Sequence, residues 1–156
     1  MILINFMAAL FMLFIVGGYN QANYASAASD FDASIKTTDK FGHDTTSFVQ
    51  GDEIHIILTI KNISAEKKTM SFPTGKQYDF VIKDGNGNEV WRWSSGMAFI
   101  HSFTSYDIVP GDTRTIIYKW NQMISGDGAM IPVGSYTLEA DTIGISIRPK
   151  QNLIIF

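Results

Sequence analysis

The chain has 156 residues, 46% hydrophobic and 17% charged, which suffices for one core and is too short for two domains of ordinary size. Twelve Lys and Arg residues stand against fifteen Asp and Glu, the net charge is -3, and no basic run exceeds Lys67-Lys68, so nothing suggests the positive face that gripping nucleic-acid phosphates requires. Cysteine is absent, which excludes disulfides, thiolate nucleophiles and Cys-ligated zinc together.

Ile2 to Val16 is almost unbroken apolar sequence and leads through Gly17-Gly18 to Ala25-Ser26-Ala27, a small-residue cleavage pattern. The expectation is a secretory signal peptide over residues 1–27 and an exported domain over 28–156, secreted or held at the cell surface. An uncleaved membrane anchor is the alternative, because the run approaches the length of a spanning helix.

Beyond Ala28 the hydrophobic period is two. Ile54, Ile56, Leu58 and Ile60 share one face, and His55, Thr59 and Lys61 share the other, as a half-buried strand requires. Comparable runs occupy residues 31–37, 78–83, 89–93, 99–105, 113–120, 135–142 and 152–156. Turn formers separate them: Gly51-Asp52, Asp84-Gly85, Asn86-Gly87, Pro110-Gly111-Asp112 and Gly126-Asp127-Gly128. Outside the first segment no stretch keeps a helical period for three turns. About eight short strands with such turns predict an all-β, immunoglobulin-like sandwich of two antiparallel sheets.

Within the predicted hairpin of residues 78–93, Tyr78, Phe80 and Ile82 share a face, as do Trp91 and Trp93. Large aromatics at strand positions in a small domain point to core before they point to a binding patch. Three stretches then carry a resemblance: Phe72-Pro73-Thr74-Gly75 through Tyr78-Asp79-Phe80 to Glu89-Val90-Trp91-Arg92-Trp93-Ser94 and Met97-Ala98-Phe99; Ile108 to Trp120 with its Pro110-Gly111-Asp112 turn; and Ile131 to Ala140. In order and spacing they resemble the BsuPI-type intracellular proteinase inhibitor family, over about Ile54 to Ala140. The resemblance implies a small immunoglobulin-like sandwich whose namesake inhibits a subtilisin-type serine protease inside the cell. It transfers no defined reactive-site residue.

Catalysis has little support. His43, His55 and His101 are scattered, no Gly-x-Ser-x-Gly elbow is present, and no acid/base pair is recognisable, so neither an enzyme nor a cofactor is expected. Asp84, Asn86 and Asn88 copy the first three ligand positions of a calcium loop. Glu89 and Ser95 then stand where Gly and Glu are needed, so no metal is expected and the segment reads as a hairpin turn. Trp91, Trp93 and Trp120 invite comparison with sugar-stacking platforms, against their strand positions. Asn62-Ile63-Ser64 is formally a glycosylation sequon.

Two function classes follow. One is a secreted inhibitor that occludes a subtilisin-like protease non-covalently through loops; the other is a non-inhibitory extracytoplasmic module that binds a protein or the cell envelope. Counting reversals along the predicted strands gathers loops 62–69, 94–98 and 121–134 at one end, opposite turn 84–88. The expected protease contacts are therefore Met97, Met123, Ile124, Met130 and Ile131, with loop 121–134 as the main element.

Overall fold

A computed structural model describes residues 29–124 and 128–156. Among these the fold is all-β, without a helix, and has ten strands: β1 (Phe31–Thr38), β2 (Ser47–Phe48), β3 (Ile54–Asn62), β4 (Lys68–Phe72), β5 (Tyr78–Lys83), β6 (Glu89–Arg92), β7 (Thr104–Ile108), β8 (Thr113–Trp120), β9 (Gly134–Thr142) and β10 (Lys150–Ile155). They form a three-stranded sheet β1-β3-β8, a five-stranded sheet β2-β10-β9-β5-β6 and a separate pair β4-β7. All pairings are antiparallel except β2 with β10.

Alternation determines which side of each strand is buried. Ile54, Ile56, Leu58 and Ile60 of β3 are essentially inaccessible, as are Phe80 and Ile82 of β5, Leu138 and Ala140 of β9 and Leu153 of β10, and all belong to one core. The two larger sheets meet through rings. Trp91 of β6 lies 5.7 Å from Tyr118 and 5.2 Å from Trp120, both on β8, and Phe80 lies 6.3 Å from Tyr118. Each such ring removes roughly 150–250 Å² from water, which makes this cluster a principal source of hydrophobic stabilisation. The β4-β7 pair adds Met70, Phe72 and Ile108 to the same core.

The strand reading misses β2 and β4. It also places a strand at 99–105 where the structure has irregular chain up to Phe103, followed by β7. This displacement changes the loop arrangement. β4 and β7 pair with each other in a sheet of their own, so the chain does not reverse within the larger sheets at 99–105, as the count assumed, and it passes through a further strand, β4, that the count lacked. Ile54 faces Trp120 and Lys61 faces Thr113, so segment 62–67 and segment 121–124 leave opposite ends of the β3-β8 ladder; residues 125–127 of the expected loop lie outside the described residues. Arg114 donates to Gln77 Oε1 at 2.7 Å and Ser94 is bonded to Asp79, which gathers 62–67, 73–77 and 94–103 at one end. Turn 84–88 follows Lys83, which faces Thr137 near the start of β9, so it shares the opposite end with 121–124 and 128–133. The expected union of loops 62–69 and 94–98 with 121–134 is therefore corrected: the first two come together and the third does not.

The sequon has a structural role. Asn62 is fully buried. Its Nδ2 donates to the carbonyls of Glu66 and Ile108, each at 2.8 Å, while its Oδ1 accepts from Ser64 N at 2.9 Å and Ser64 Oγ at 2.7 Å. With the amide nitrogen committed inside the protein, Asn62 is a loop clamp. Asn62→Ala should lower the unfolding free energy by about 1–3 kcal/mol, the cost of leaving its buried partners unpaired, as measured by urea denaturation.

Candidate contact loop and its base

Residues 94–103 are built as an exposed apolar loop on a buried polar base. Asp79 follows Tyr78 on β5 and has no exposed surface. Its Oδ2 accepts from Arg92 Nη1 at 2.9 Å, from Ser94 Oγ at 2.6 Å and from Lys76 Nζ, and its Oδ1 accepts from the Ser94 backbone N–H at 3.2 Å and the Phe80 N–H at 3.0 Å. Lys76 also reaches Ser94 Oγ at 3.0 Å. Burial alone would raise the Asp79 pKa, but the hydrogen bonds from Lys76, Ser94 and Arg92 outweigh it and hold the carboxyl below the ordinary aspartate range.

A lowered folded-state pKa stabilises the protein at neutral pH, and that share is lost as the pH falls below the unfolded value of about 4. Asp79→Asn should therefore be less stable than the parent at pH 7. The gap should narrow towards pH 3, as read from urea midpoints across that range.

From this base the loop is tied at several points. Ser95 N–H donates to Arg92 O at 3.2 Å and Met97 N–H to Ser94 O at 3.1 Å, around Gly96 at φ 75°, a conformation glycine adopts without strain. Phe99 turns inward onto Trp93 with centroids 5.8 Å apart, and Trp93 stacks on Tyr78 at 4.7 Å. Gly75 N–H donates to the Ile100 carbonyl at 3.0 Å, and a Cβ at Gly75 would stand 3.2 Å from the Ile100 side chain. Thr104 then enters β7 opposite Phe72. Between these ties the side chains of Met97, Ile100 and Phe103 are 46%, 69% and 74% exposed. Residues 95–103 carry no Asp, Glu, Lys or Arg.

The expected contact residues divide. Met97 lies on this loop. Met123 and Met130 pair in an isolated β-bridge at the other end and are a little over one-third exposed. Ile124 packs partly against the core beside Glu89, Val90 and Trp91. Ile131 is fully buried, its N–H donating to Gln122 O at 2.7 Å and its carbonyl accepting from Gln50 Nε2 at 2.6 Å. It is core, so its expected surface role is corrected. Ile100 and Phe103 went unrecognised because their apolar side chains were counted into a strand.

Trp91 and Trp120 are buried, and Trp93 is half-buried, stacked on Tyr78 and in tilted contact with Phe99, so none of the three presents an open ring face for stacking. Asp84 closes its own turn: Oδ1 accepts from Asn86 N at 2.9 Å and Asn88 N at 2.8 Å, and Oδ2 from Asn88 Nδ2 at 3.1 Å. His43 bonds Asp39 at 2.9 Å and His55 bonds Glu53 at 2.7 Å, two separate pairs without a nucleophile assigned to either.

The protein belongs to a family of small inhibitory β-domains. The model of the BsuPI family, described as intracellular proteinase inhibitor, matches residues 42–145, and the chain is a member of that family. The description as intracellular overturns the expectation of a secreted or cell-surface protein drawn from Ile2–Val16 and Ala25-Ser26-Ala27, which lie outside the described residues. The family is one of inhibitors and not of enzymes, and it implies a protease as partner. No curated protein matches the chain.

Solved structures with similar backbones include a β-glucosidase from Listeria innocua in complex with glucose, 12% identical with a TM-score of 0.48, and one from Erythrobacter marinus, 11% identical with a TM-score of 0.48. In both cases 82% of this chain is covered, and it spans 16% of the enzyme. A CARDB domain from Pyrococcus furiosus, in complex with di-metal ions, is 9% identical with a TM-score of 0.41, covering 81% of this chain and 89% of that one.

Proposed function

We propose that the protein is a non-covalent inhibitor of a subtilisin-like serine protease. In this reading an immunoglobulin-like sandwich presents loop 94–103 to the enzyme's cleft. Family membership supplies the activity class, and the observation that selects the element is the exposure of Met97, Ile100 and Phe103 on a segment whose backbone is tied at both ends. Apolar side chains on a rigid scaffold contribute binding energy without a large ordering cost. The lack of Lys and Arg in 95–103 favours a cleft with apolar pockets over one that requires a basic side chain. No bond need form: occupation of the cleft excludes substrate, over an interface of about 1,600 Å² in total.

Titrating the full chain against a subtilisin and against trypsin tests this. The expected result is stoichiometric loss of subtilisin activity with trypsin much less affected. A flat response from subtilisin and other proteases with apolar clefts would remove the inhibitory reading.

A further inference from the structure

A flexible apolar loop offered to a protease is a substrate. An inhibitor must hold the same segment so that it binds but does not reach, or does not release from, the geometry of cleavage. The ties on 94–103 converge on one buried group. Asp79 receives both the backbone N–H and the hydroxyl of Ser94, the first residue of the loop. It also fixes Lys76, whose neighbour Gly75 holds the Ile100 carbonyl in the middle of the exposed stretch. Arg92, the residue two before Ser94, is bound by the same carboxylate and by Glu89. The two segments that frame the loop, 73–77 and 92–94, are thus joined through a single side chain that no solvent reaches.

We infer that Asp79 is a positioning residue for inhibition: it splints loop 94–103 in one conformation, so that a protease with apolar pockets binds the loop without hydrolysing it. This deepens the inhibitory reading and rests on it for the protease part alone, since the splint itself is a property of the free protein. The contact atoms belong to Met97, Ile100 and Phe103, and Asp79 acts through Ser94 and Lys76. A core polar group with no such role would, when changed, alter stability without altering whether the loop is cut.

The test compares the parent with Asp79→Asn, Ser94→Ala and the conservative Ser94→Thr, all as full chains, with circular dichroism confirming the fold. Amide hydrogen exchange of residues 95–103 in the free protein is read first. Exchange of 95–103 at least tenfold faster in Ser94→Ala and Asp79→Asn is expected, a larger change than in β3 and β9, whose amides follow global stability. The same proteins are then incubated with subtilisin, with the inhibition constant and the intact mass followed together. The expected result is an inhibition constant raised tenfold or more, hydrolysis of a peptide bond within 95–103, and recovery towards the parent in Ser94→Thr. Should Asp79→Asn fail to fold, Ser94→Ala decides alone, because it leaves the Asp79 pairs with Lys76 and Arg92 in place. Unchanged exchange, or an unchanged constant with an uncut loop, overturns the splint. If the parent inhibits nothing while exchange responds as expected, the splint stands as a property of the loop and the inhibitory reading falls.

Discussion

Changing Met97, Ile100 and Phe103 to Asp in one variant should weaken inhibition by at least about a hundredfold while the protein stays folded. Hot-spot residues, which cluster near the centre of an interface, cost about 2 kcal/mol or more when truncated, and each 1.4 kcal/mol is a factor of ten in affinity. Three carboxylates facing an apolar cleft add the cost of desolvating charge, so even strong non-additivity leaves a large loss. The fold should tolerate the change because Ile100 and Phe103 are among the most exposed apolar residues described, Met97 is close to half exposed, and the inward tie is made by Phe99. Surface changes of this kind usually move stability by about 0.5 kcal/mol or less each. Matching changes at Met123 and Met130 should leave the inhibition constant within about threefold of the parent, the scale expected of energetically near-neutral positions.

The second large effect is on stability. Trp91→Ala should cost roughly 3–5 kcal/mol, the range for truncating a large buried aromatic where the surroundings cannot close the space. Trp91 packs in tilted contacts against both Tyr118 and Trp120, and so it joins the edge strand of one sheet to the edge strand of the other. Little can move into the gap, because Trp120 is itself held by a hydrogen bond from Nε1 to the Met123 carbonyl at 3.2 Å. Urea denaturation followed by tryptophan fluorescence measures the loss. A cost below about 1 kcal/mol would mean that the two sheets do not depend on this contact.

Most of the fold was legible because burial is one-sided. β3 alternates buried and partly buried residues over most of its nine positions, and β9 does the same, so the period-two rule found both. The hairpin was legible from its turn, whose Asp84 does what an Asp before Asn-Gly is expected to do. β4 was not, because Lys-Thr-Met-Ser-Phe is short and follows a charged run, and it pairs with a strand more than thirty residues away that local pattern cannot reveal.

The site escaped for a more instructive reason. Pattern reading assumes that apolar side chains point inward, so Phe99, Ile100 and Phe103 were assigned to a strand; in the structure only Phe99 points in. Function is the usual cause of such a breach between local pattern and burial. Asp79 escaped for the opposite reason. Period two places it on the side of β5 away from Phe80, the side expected to meet solvent, yet loops 73–77 and 94–98 supply Lys76 and Ser94 and close over it. Its burial depends on segments distant in sequence, and only the assembled fold shows it. The aromatics around it thus serve both purposes the sequence could not separate: Trp91 fastens the core, while Trp93 and Tyr78 support the loop from below.

The claim that one end of the domain, and the 94–103 loop in particular, meets the protease is tested most directly by amide hydrogen exchange on the full chain with and without a stoichiometric amount of catalytically inactivated subtilisin. Protection confined to residues 95–103 and the adjoining 73–77 is the predicted footprint. Protection centred on 121–133 and 39–53, or complex formation that leaves 95–103 exchanging as in the free protein, would contradict it.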